Sequence, residues 1–556
     1  MRSTIGNVGI VHGYGLSGSG SNLWTRAVLR ALCRLGRDVH VVCQEGRPEK
    51  FEFVTRAISY DDAGRPTELF VRETDYPGSC TVHRPDLAVL PVYVAPRTTS
   101  TYIRPIPDLD DAAIRDYVDR NARVLQHVAR HHGVSSFHVN HVVLMSAALQ
   151  QTHREAGIPY AVLPHGSAIE YVVRRDERMM RAAGSALADA GRVLALNGEM
   201  EGRMEEVFGE VPGLLEKMER LPVGVDTEQF DSAAPEERES RLERLLAFIE
   251  DEPRGRTPAQ QTSLADRLSP DLDDDALLAT LREGAVYTSS APDAELEPLL
   301  RAPGWRHAPI VTYVGRLIAA KGADLAVAAF PLILRDVPDA RLIIAGTGAL
   351  REALEALTWA LAHGHADLAR RIARVAARLE DDSHGKSLEH LQAFFARLDR
   401  EDGWDEYLTA ARGMADPNRV TFTGFVDHGP LSQLYSIADV GLFPSVVKEA
   451  SPLVVPECAA SGTLPIGTNH AGMGDSLRTL GASLPEEARR LLEARFDPEH
   501  TVHDLAANAV EALKNRGRWT ESLRTAALER YDWRTIAQRL AGILDELADQ
   551  QTSSTD

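Results

Sequence analysis

Near the middle of the chain stands the run Ile310-Val311-Thr312-Tyr313-Val314-Gly315-Arg316-Leu317. Its first five residues are β-branched or aromatic, which predicts a buried strand, and the glycine and arginine that come next predict a loop. Four similar runs follow between helical patterns: Arg341–Ala345, Val420–Phe422, Val440–Phe443 and Thr463–Ile466. Short strands that alternate with helices predict a parallel sheet in a Rossmann-like domain.

The same alternation occurs in the first 225 residues. The strands predicted there are Val8–Val11, Val39–Val42, Leu87–Leu90, Ser136–Val139, Tyr160–Leu163 and Val193–Leu196. The sequence therefore predicts an α/β chain of two doubly wound, parallel-sheet domains that face a cleft, over residues 1–230 and 306–520. The closing segment, 521–556, carries a helix with one apolar face between Trp533 and Leu547, which is expected to pack back on the first domain.

Two acidic segments, 231–305 and 351–418, interrupt this alternation and are predicted to be largely helical insertions. They hold 17 acidic against 8 basic residues and 13 against 9, so −13 of the net charge of −20 lies in them. The first has one amphipathic piece, Leu242–Ile249, and predicts a loosely packed subdomain or flap. The second predicts a helical hairpin. For both, a solvated decoration without function is the alternative.

Composition narrows the class of protein. With 556 residues, 44% of them hydrophobic and 26% charged, the chain has the composition of a soluble globular protein. The net charge of −20 disfavours a nucleic-acid partner. No apolar run is long enough for a membrane span, residues 1–10 do not resemble a secretion signal, and the four cysteines show no C-x-x-C spacing. These features predict a cytoplasmic protein with reduced thiols.

A glycine-rich loop follows the first predicted strand. Gly13-Tyr14-Gly15-Leu16-Ser17-Gly18 matches the pattern G-x-G-x-x-G between a strand and a helix, which is typical of dinucleotide sites. The acidic residue expected at the end of the second strand is Glu45, which lies 27 residues after Gly18 and later than the pattern requires. A site for another anionic group, or glycines needed only for a tight turn, are the alternatives.

Two cations lie close together after the strand at Ile310. Arg316 comes just past its carboxyl end, where ligands of open α/β sheets bind, and Lys321 follows five residues later. A guanidinium fork and an ammonium group together suit a diphosphate. Because the chain has only six lysines, Lys321 is informative, although a solvated lysine at a helix start is the alternative.

Two glutamates follow the strand Val440–Phe443. Glu449 and Glu457 are separated by seven residues in Pro444–Glu457, and Ser451–Leu453 is predicted to turn into a helix between them. One carboxylate could then accept hydrogen bonds from a sugar and the other from the two hydroxyls of a ribose. Ordinary partners of a helix dipole are the alternative.

Two weaker motifs belong to the same half of the chain. Gly346-Thr347-Gly348 is a second glycine turn at the start of a helix. Thr423-Gly424-Phe425-Val426 follows another strand, where backbone groups and an aromatic ring could hold a nucleobase, and core packing of Phe425 is equally compatible.

Together these segments resemble retaining glycosyltransferases of the GT-B fold, family four, which includes sucrose synthases, sucrose-phosphate synthases and bacterial mannosyltransferases. The resemblance covers about 400 residues and leaves out both insertions. The first domain contributes four matching segments: Gly18–Gly20, Phe137–His141, Pro164–Gly166 and Leu221–Asp226, which leads to Phe230. Two segments depart from the family pattern: Ala450–Pro452 replaces Gly-Phe-Gly, and Gly467–Met473 replaces a Gly-Gly turn.

The resemblance implies a role for each matching residue. Arg316 and Lys321 would bind the donor diphosphate, Glu449 the donor sugar and Glu457 the ribose. His165 would lie near the anomeric carbon, with His138 and His141 as competitors for that position. The remaining implied donor-binding residues are Gly18, Gly20, Gly346, Gly348, Phe425, Ser451, Pro452, Leu453 and Val454.

The expected function is transfer of a sugar, with retention, from a nucleotide-diphosphate sugar to an acceptor hydroxyl. The family implies neither a metal nor a cofactor, and the acceptor would be a small molecule, a glycan or a lipid-linked group. One alternative is a dinucleotide-dependent oxidoreductase that uses Gly13–Gly18. Another is a GT-B protein that binds nucleotide sugars without transfer, or an epimerase or phosphorylase on that scaffold.

Overall fold

The computed structural model describes residues 7–17, 20–93, 102–250, 252, 254–284, 291–302, 304–380 and 388–555. The chain forms two compact units. The first comprises Met1–Gly224 with Tyr531–Asp556, and the second comprises Val225–Arg530.

The first unit is built on a nine-stranded sheet with the order β11-β10-β9-β8-β1-β2-β5-β3-β4. All pairs are parallel except β3 with β4 at one edge. Its strands, with the small separate pair β6 and β7, are β1 Asn7–Val11, β2 Val39–Val42, β3 Arg56–Tyr60, β4 Pro66–Val71, β5 Cys80–Arg84, β6 Leu90–Val92, β7 Ile103–Pro105, β8 Val134–Asn140, β9 Tyr160–Leu163, β10 Arg192–Ala195 and β11 Met218–Arg220. The direction in which successive strands are added reverses between β1 and β8, so the ligand position of a doubly wound sheet lies there.

Within the described part of residues 1–224, six helices accompany this sheet. The best-capped is α2, because the Asp110 side chain accepts a hydrogen bond from the Ala113 N–H at 2.8 Å and Gly133 ends the helix with φ 62°. The helices are α1 Gly20–Arg34, α2 Asp111–His132, α3 Met145–Ala156, α4 Gly166–Tyr171, α5 Glu177–Asp189 and α6 Gly198–Phe208.

The prediction of a main-sheet strand at Leu87–Leu90 is wrong. Only Leu90 is in a strand, and that strand pairs with Ile103–Pro105 in a separate two-stranded sheet. The strand beside β2 is instead β5, Cys80–Arg84, which the sequence does not reveal because Thr81 and His83 interrupt its apolar pattern. Both polar side chains are nevertheless buried.

The second unit contains a six-stranded, fully parallel sheet with the order β14-β13-β12-β15-β16-β17. Its strands are β12 Ile310–Val314, β13 Arg341–Ala345, β14 Val420–Gly424, β15 Val440–Phe443, β16 Leu464–Thr468 and β17 Glu493–Ala494. Here the direction reverses between β12 and β15. The prediction of an α/β chain with two doubly wound, largely parallel sheets is therefore confirmed.

Both acidic segments are helical and they pack against each other. Helices α8 and α9 of the first segment contact α12 of the second, and α9 also contacts α13. In the first segment the helices are α7 Arg238–Glu250, α8 Pro258–Ala265, α9 Asp274–Gly284 and α10 Leu296–Arg301. In the second they are α12 Arg351–Ala362, α13 Ala366–Val375, α14 Glu389–Arg400 and α15 Trp404–Ala411.

This packing differs from the predicted flap and hairpin. Helix α7 buries Leu245, Leu246 and Ile249 and packs on helix α16, His428–Ile437, so this part of the first segment is anchored to the second unit. The described residues of the second segment form four α-helices rather than two. The apolar pattern at residues 242–249 indicates helix α7 in the sequence. The contacts between the two segments cannot be predicted from the sequence of either segment alone.

The other helices of the second unit are α11 Ala323–Asp336, α16 His428–Ile437, α17 Val454–Ala460, α18 Ala471–Gly481, α19 Glu486–Arg489, α20 Thr501–Lys514 and α21 Thr520–Tyr531. The last helix, α22 Trp533–Thr555, belongs to the first unit. Helix α22 packs on α1 and β8, where Ile536, Leu540 and Leu544 are buried.

Candidate functional site

The second unit brings its candidate residues to the reversal point of its sheet. Arg316 and Lys321 follow β12, and Glu449 follows the neighbouring strand β15. The Lys321 Nζ lies 2.6 Å from the Glu449 Oε2. The structure thus joins, in one ion pair, a cation and a carboxylate that are 128 positions apart in the sequence.

The backbone of the loop that carries the two cations is fixed by a buried tyrosine. The hydroxyl of buried Tyr313 donates to the backbone oxygen of Arg316 at 3.1 Å and lies 3.4 Å from that of Lys321. The Arg316 side chain is exposed, and among the described residues it has no hydrogen-bond or ion-pair partner. The loop that carries Lys321 therefore also carries an unpaired guanidinium, five positions earlier in the sequence, and its backbone is fixed.

Three neighbouring loops approach one another closely because of glycine. A Cβ at Gly346 would lie 1.9 Å from the Gly315 oxygen, and one at Gly348 would lie 2.3 Å from the Leu317 oxygen. At Gly322, with φ 69°, a Cβ would lie 2.0 Å from the Pro444 oxygen. These glycines have a steric reason of their own, and donor contacts by Gly346 and Gly348 remain a prediction.

The backbone around Glu449 is fixed on both sides. The Val446 N–H donates to the Ala320 oxygen at 3.0 Å, which ties this loop to the cation loop. The Gly472 N–H donates to the Glu449 oxygen at 3.0 Å. The carboxylate of Glu449 is thus presented by a braced main chain, although Ala450–Pro452 departs from the family pattern.

Helix α17 begins at Val454, directly after the predicted turn Ser451–Leu453. Pro452 is buried, whereas Ser451, Leu453 and Val454 are partly exposed. Glu457 lies in the first turn of the helix and is only 5% exposed. Contacts of the backbone at Ser451–Val454 with a sugar or a phosphate remain a prediction.

The residue that contacts the Glu457 carboxylate is not among those predicted from the sequence. The His428 Nε2 lies 3.3 Å from the Glu457 Oε1, and its Nδ1 lies 3.9 Å from the Asp427 Oδ1. The carboxylates of Asp427 and Glu457 raise the pKa of His428 to about 10, so its imidazole is positively charged at neutral pH. The available signal was an Asp-His pair at a helix start, directly after the strand motif that contains Phe425.

Phe425 is 38% exposed, so it is not a core residue. The core position of this strand is filled by Phe422. The Phe425 N–H donates to the Ala291 oxygen at 3.2 Å, so a segment of the first insertion pairs with the end of β14. The exposed ring remains available for stacking, as the base-binding prediction requires.

In the first unit, the glycine loop follows β1 at the reversal point of the sheet. Gly18 lies outside the described residues, and Gly20 begins α1. The Glu45 carboxylate accepts hydrogen bonds from the Leu16 N–H at 2.8 Å and the Arg47 N–H at 2.9 Å. The Leu16 amide is therefore already paired with a carboxylate and is not free to bind a phosphate.

The three candidate histidines differ in exposure. His138 and His141 are buried, whereas His165, after β9, is partly exposed. The His165 Nε2 lies 3.0 Å from the Asn140 Oδ1, and the Asn140 amide donates to the Thr25 hydroxyl at 2.9 Å. The Asn140 oxygen must therefore accept, so His165 carries its proton on Nε2 and leaves the Nδ1 lone pair unused by this pair.

We expect the His165 imidazole to stay neutral, as the Nε2–H tautomer, between pH 5 and 8. Burial, with smaller contributions from His12 and His138, lowers its pKa to about 3. Long-range ¹H–¹⁵N NMR should show a pyridine-type Nδ1 and a pyrrole-type Nε2 without titration over this range. Asn140→Ala should mix the tautomers, and a titration midpoint inside the range in the parent protein would contradict the assignment.

Among the residues that the structure describes, no group of three or more His, Cys, Asp or Glu side chains is placed to hold a metal ion. No helix within them has both the length and the apolar character needed to cross a bilayer.

Two solved structures with this overall fold are similar over nearly the whole chain. Sucrose-phosphate synthase from Thermosynechococcus elongatus has 16% identity and a TM-score of 0.52, with 98% of this chain and 99% of that chain covered. The catalytic domain of starch synthase IV from Arabidopsis thaliana, bound to ADP and acarbose, has 13% identity and a TM-score of 0.52, with 99% of each chain covered. No curated protein matches the sequence.

Two family models described as glycosyl transferases group 1 match residues 302–366 and 396–515. The first match includes Arg316 and Lys321, and the second includes Glu449 and Glu457. With the shared architecture, these matches establish that the chain is a glycosyltransferase of the GT-B fold.

Proposed function

We propose that the protein transfers a sugar from a nucleotide-diphosphate sugar to an acceptor hydroxyl, with retention at the anomeric carbon and without a metal ion. The observation that carries this proposal is the Lys321–Glu449 ion pair at the reversal point of the second sheet, on the loop that also presents Arg316. Ligands of open α/β sheets bind at this point.

The charges of this site suit a diphosphate donor. Arg316 offers planar, paired N–H donors and Lys321 a point charge, so together they offset the two negative charges of a diphosphate. Glu449, already oriented by Lys321, accepts hydrogen bonds from the hydroxyls of the transferred sugar. Glu457 accepts those of the ribose. The fold neighbour from Arabidopsis thaliana was solved with ADP, which is consistent with a nucleoside diphosphate.

The proposed reaction breaks the bond between the anomeric carbon and the phosphate oxygen and forms one to the acceptor oxygen on the same face. The acceptor hydroxyl gives its proton to the departing phosphate. Arg316 and Lys321 stabilise the negative charge that grows on this phosphate, which is the largest contribution a fixed site makes to such a transfer. His165 is our further candidate for contact with the sugar, as the family resemblance implies.

A ligand screen followed by product analysis tests the proposal. One of the nucleotides UDP, GDP and ADP, or its sugar derivatives, should raise the melting temperature, and the matching sugar donor should be consumed when neutral sugars, glycans or lipid-linked acceptors are supplied. ¹H NMR of the first product should show the anomeric configuration of the donor. Activity should persist after treatment with EDTA.

Each other outcome contradicts a specific part of the proposal. An inverted product contradicts retention, and loss of activity in EDTA that Mg²⁺ or Mn²⁺ restores contradicts metal independence. Binding of a nucleotide sugar without consumption supports the non-catalytic alternative. Conversion of the donor sugar without an acceptor supports an epimerase.

For the location of the protein we propose the cytoplasm, because all four cysteines are buried free thiols.

A further inference from the structure

His428 is a cation in contact with a buried carboxylate of the candidate donor site. It is the first residue of α16, and its side chain is 41% exposed, whereas that of Glu457 is 7% exposed. The 3.3 Å contact joins Nε2 of the imidazole to Oε1 of the carboxylate. Within the described part of the chain this is the only polar contact of the Glu457 carboxylate, so Oε2 remains open.

The surroundings of His428 restrict its movement. The Asp427 side chain caps α16 by accepting from the His428 N–H at 2.8 Å. The Gln229 side-chain amide donates to the His428 backbone oxygen at 2.7 Å, and the Phe230 ring meets the imidazole edge-on at 6.2 Å between centroids. The backbone of His428 is therefore fixed, and the Phe230 ring packs against its imidazole.

The same segment is tied to the helix that carries Glu457. The Arg524 guanidinium donates to the Thr227 oxygen at 2.6 Å and to the Ala460 oxygen, at the end of α17, at 2.9 Å. The brace that holds His428 is thus connected to the helix whose first turn presents the carboxylate.

We propose that His428 is a positioning residue of the donor site, which fixes one oxygen of Glu457 so that this carboxylate binds the ribose hydroxyls of the nucleotide. The inference rests on the proposed function. A charge-assisted contact at 3.3 Å holds the buried carboxylate in one orientation and leaves its second oxygen to accept from the ribose hydroxyls.

The role separates donor binding from catalysis. His428 touches Glu457 rather than the proposed diphosphate loop, so its loss should weaken the ground state and the transition state equally. Replacement of a charge-assisted contact by a neutral one should raise the donor KM about tenfold and leave kcat within about twofold. A merely structural residue would lower kcat or stability instead.

The test compares His428→Gln with the parent protein in calorimetric titrations of UDP, GDP or ADP, whichever binds best, and of its 2′-deoxy form. The parent should bind the ribonucleotide at least tenfold more tightly than the deoxynucleotide. In His428→Gln this preference should fall to about threefold or less, mainly through weaker ribonucleotide binding. Glu457→Gln should lose the preference as well, and His428→Gln should add little to that variant.

His500→Gln is the matched control, because His500 also pairs with a carboxylate, that of Asp497 at 2.8 Å, outside the candidate site. It should keep the preference. NMR should show the His428 imidazole still protonated at pH 8, as expected from a pKa raised to about 10 by Asp427 and Glu457.

The possible failures are distinguishable. If the parent binds none of the three nucleotides, both the proposed function and the role of His428 are overturned. If the parent prefers the ribonucleotide and His428→Gln retains the full preference, or loses equal affinity for both forms, only the role of His428 is overturned. Thermal unfolding of each variant shows whether it is folded, and His428→Asn, which keeps an amide donor in a shorter side chain, replaces a variant that is not.

Discussion

Replacement of Lys321 by alanine should lower kcat for sugar transfer about 10²–10³-fold, with little change in the melting temperature. The ammonium group is partly exposed, and its one polar partner among the described residues is the Glu449 carboxylate at 2.6 Å. In the proposed reaction it offsets the negative charge that grows on the departing phosphate. Its loss therefore affects the transition state more than the ground state, and steady-state kinetics with the donor that the ligand screen identifies measure the difference.

The lysine removed in the matched control is Lys514, an exposed residue of α20 whose Nζ lies 3.8 Å from the Asp336 Oδ1. Lys514→Ala should transfer sugar at the parent rate. Lys321→Arg should recover only part of the activity, because a guanidinium does not reproduce the point charge and reach of an ammonium group. Full activity of Lys321→Ala, in a folded protein that transfers sugar, would remove Lys321 from the mechanism.

Most of the candidate donor site could be predicted from the sequence because its residues directly follow strands. A strand of apolar, β-branched residues is recognisable, and in a parallel sheet every carboxyl end faces the same edge. Arg316 and Glu449 could therefore be assigned to one edge without a structure. That β12 and β15 are neighbours requires the sheet order, and so does the direct pairing of Lys321 with Glu449.

The residues that escaped prediction depend on contacts between distant segments. His428 looks like an ordinary polar residue at a helix start, and only the fold places its imidazole against Glu457. The strand β5 escaped because buried Thr81 and His83 read as polar, although His83 is hydrogen-bonded to His40 and Tyr60 inside the core. Burial of satisfied polar groups leaves no apolar period for the sequence to show.

The interface between the two insertions is the clearest example of a contact that the sequence does not predict. It is ionic as well as apolar. Arg351, at the start of α12, is buried and contacts the Asp293 Oδ2 at 2.6 Å and the Glu355 Oε1 at 2.8 Å. Its guanidinium lies over the Phe422 ring, 4.4 Å from the centroid. The Asp293 N–H donates to the Thr423 oxygen at 2.8 Å, so this cluster connects both insertions to β14.

Arg351→Ala should therefore destabilise the second unit by about 3–5 kcal/mol, the usual cost when one partner of a buried ion pair is removed. Asp293 is only 4% exposed, and the substitution takes away the cation nearest to it. Urea denaturation followed by tryptophan fluorescence and circular dichroism should resolve the loss as an earlier transition. Arg374→Ala is the control: Arg374 also joins the insertions, through the Asp274 carboxylate at 3.1 Å, but 53% of its side chain is exposed, so its loss should cost under about 1 kcal/mol.

The loss caused by Arg351→Ala should also depend on pH. Burial already raises the pKa of Asp293, and the nearby Arg351 opposes this rise. Without Arg351 the pKa should rise further, so the cost of a buried charge is present above that pKa and is relieved as the pH falls through it. The destabilisation relative to the parent should accordingly be smaller at pH 5.5 than at pH 7.5. Equal losses at both values would mean that the cost arises from lost packing on Phe422, and losses equal to those of Arg374→Ala would show that the cluster does not hold the insertions together.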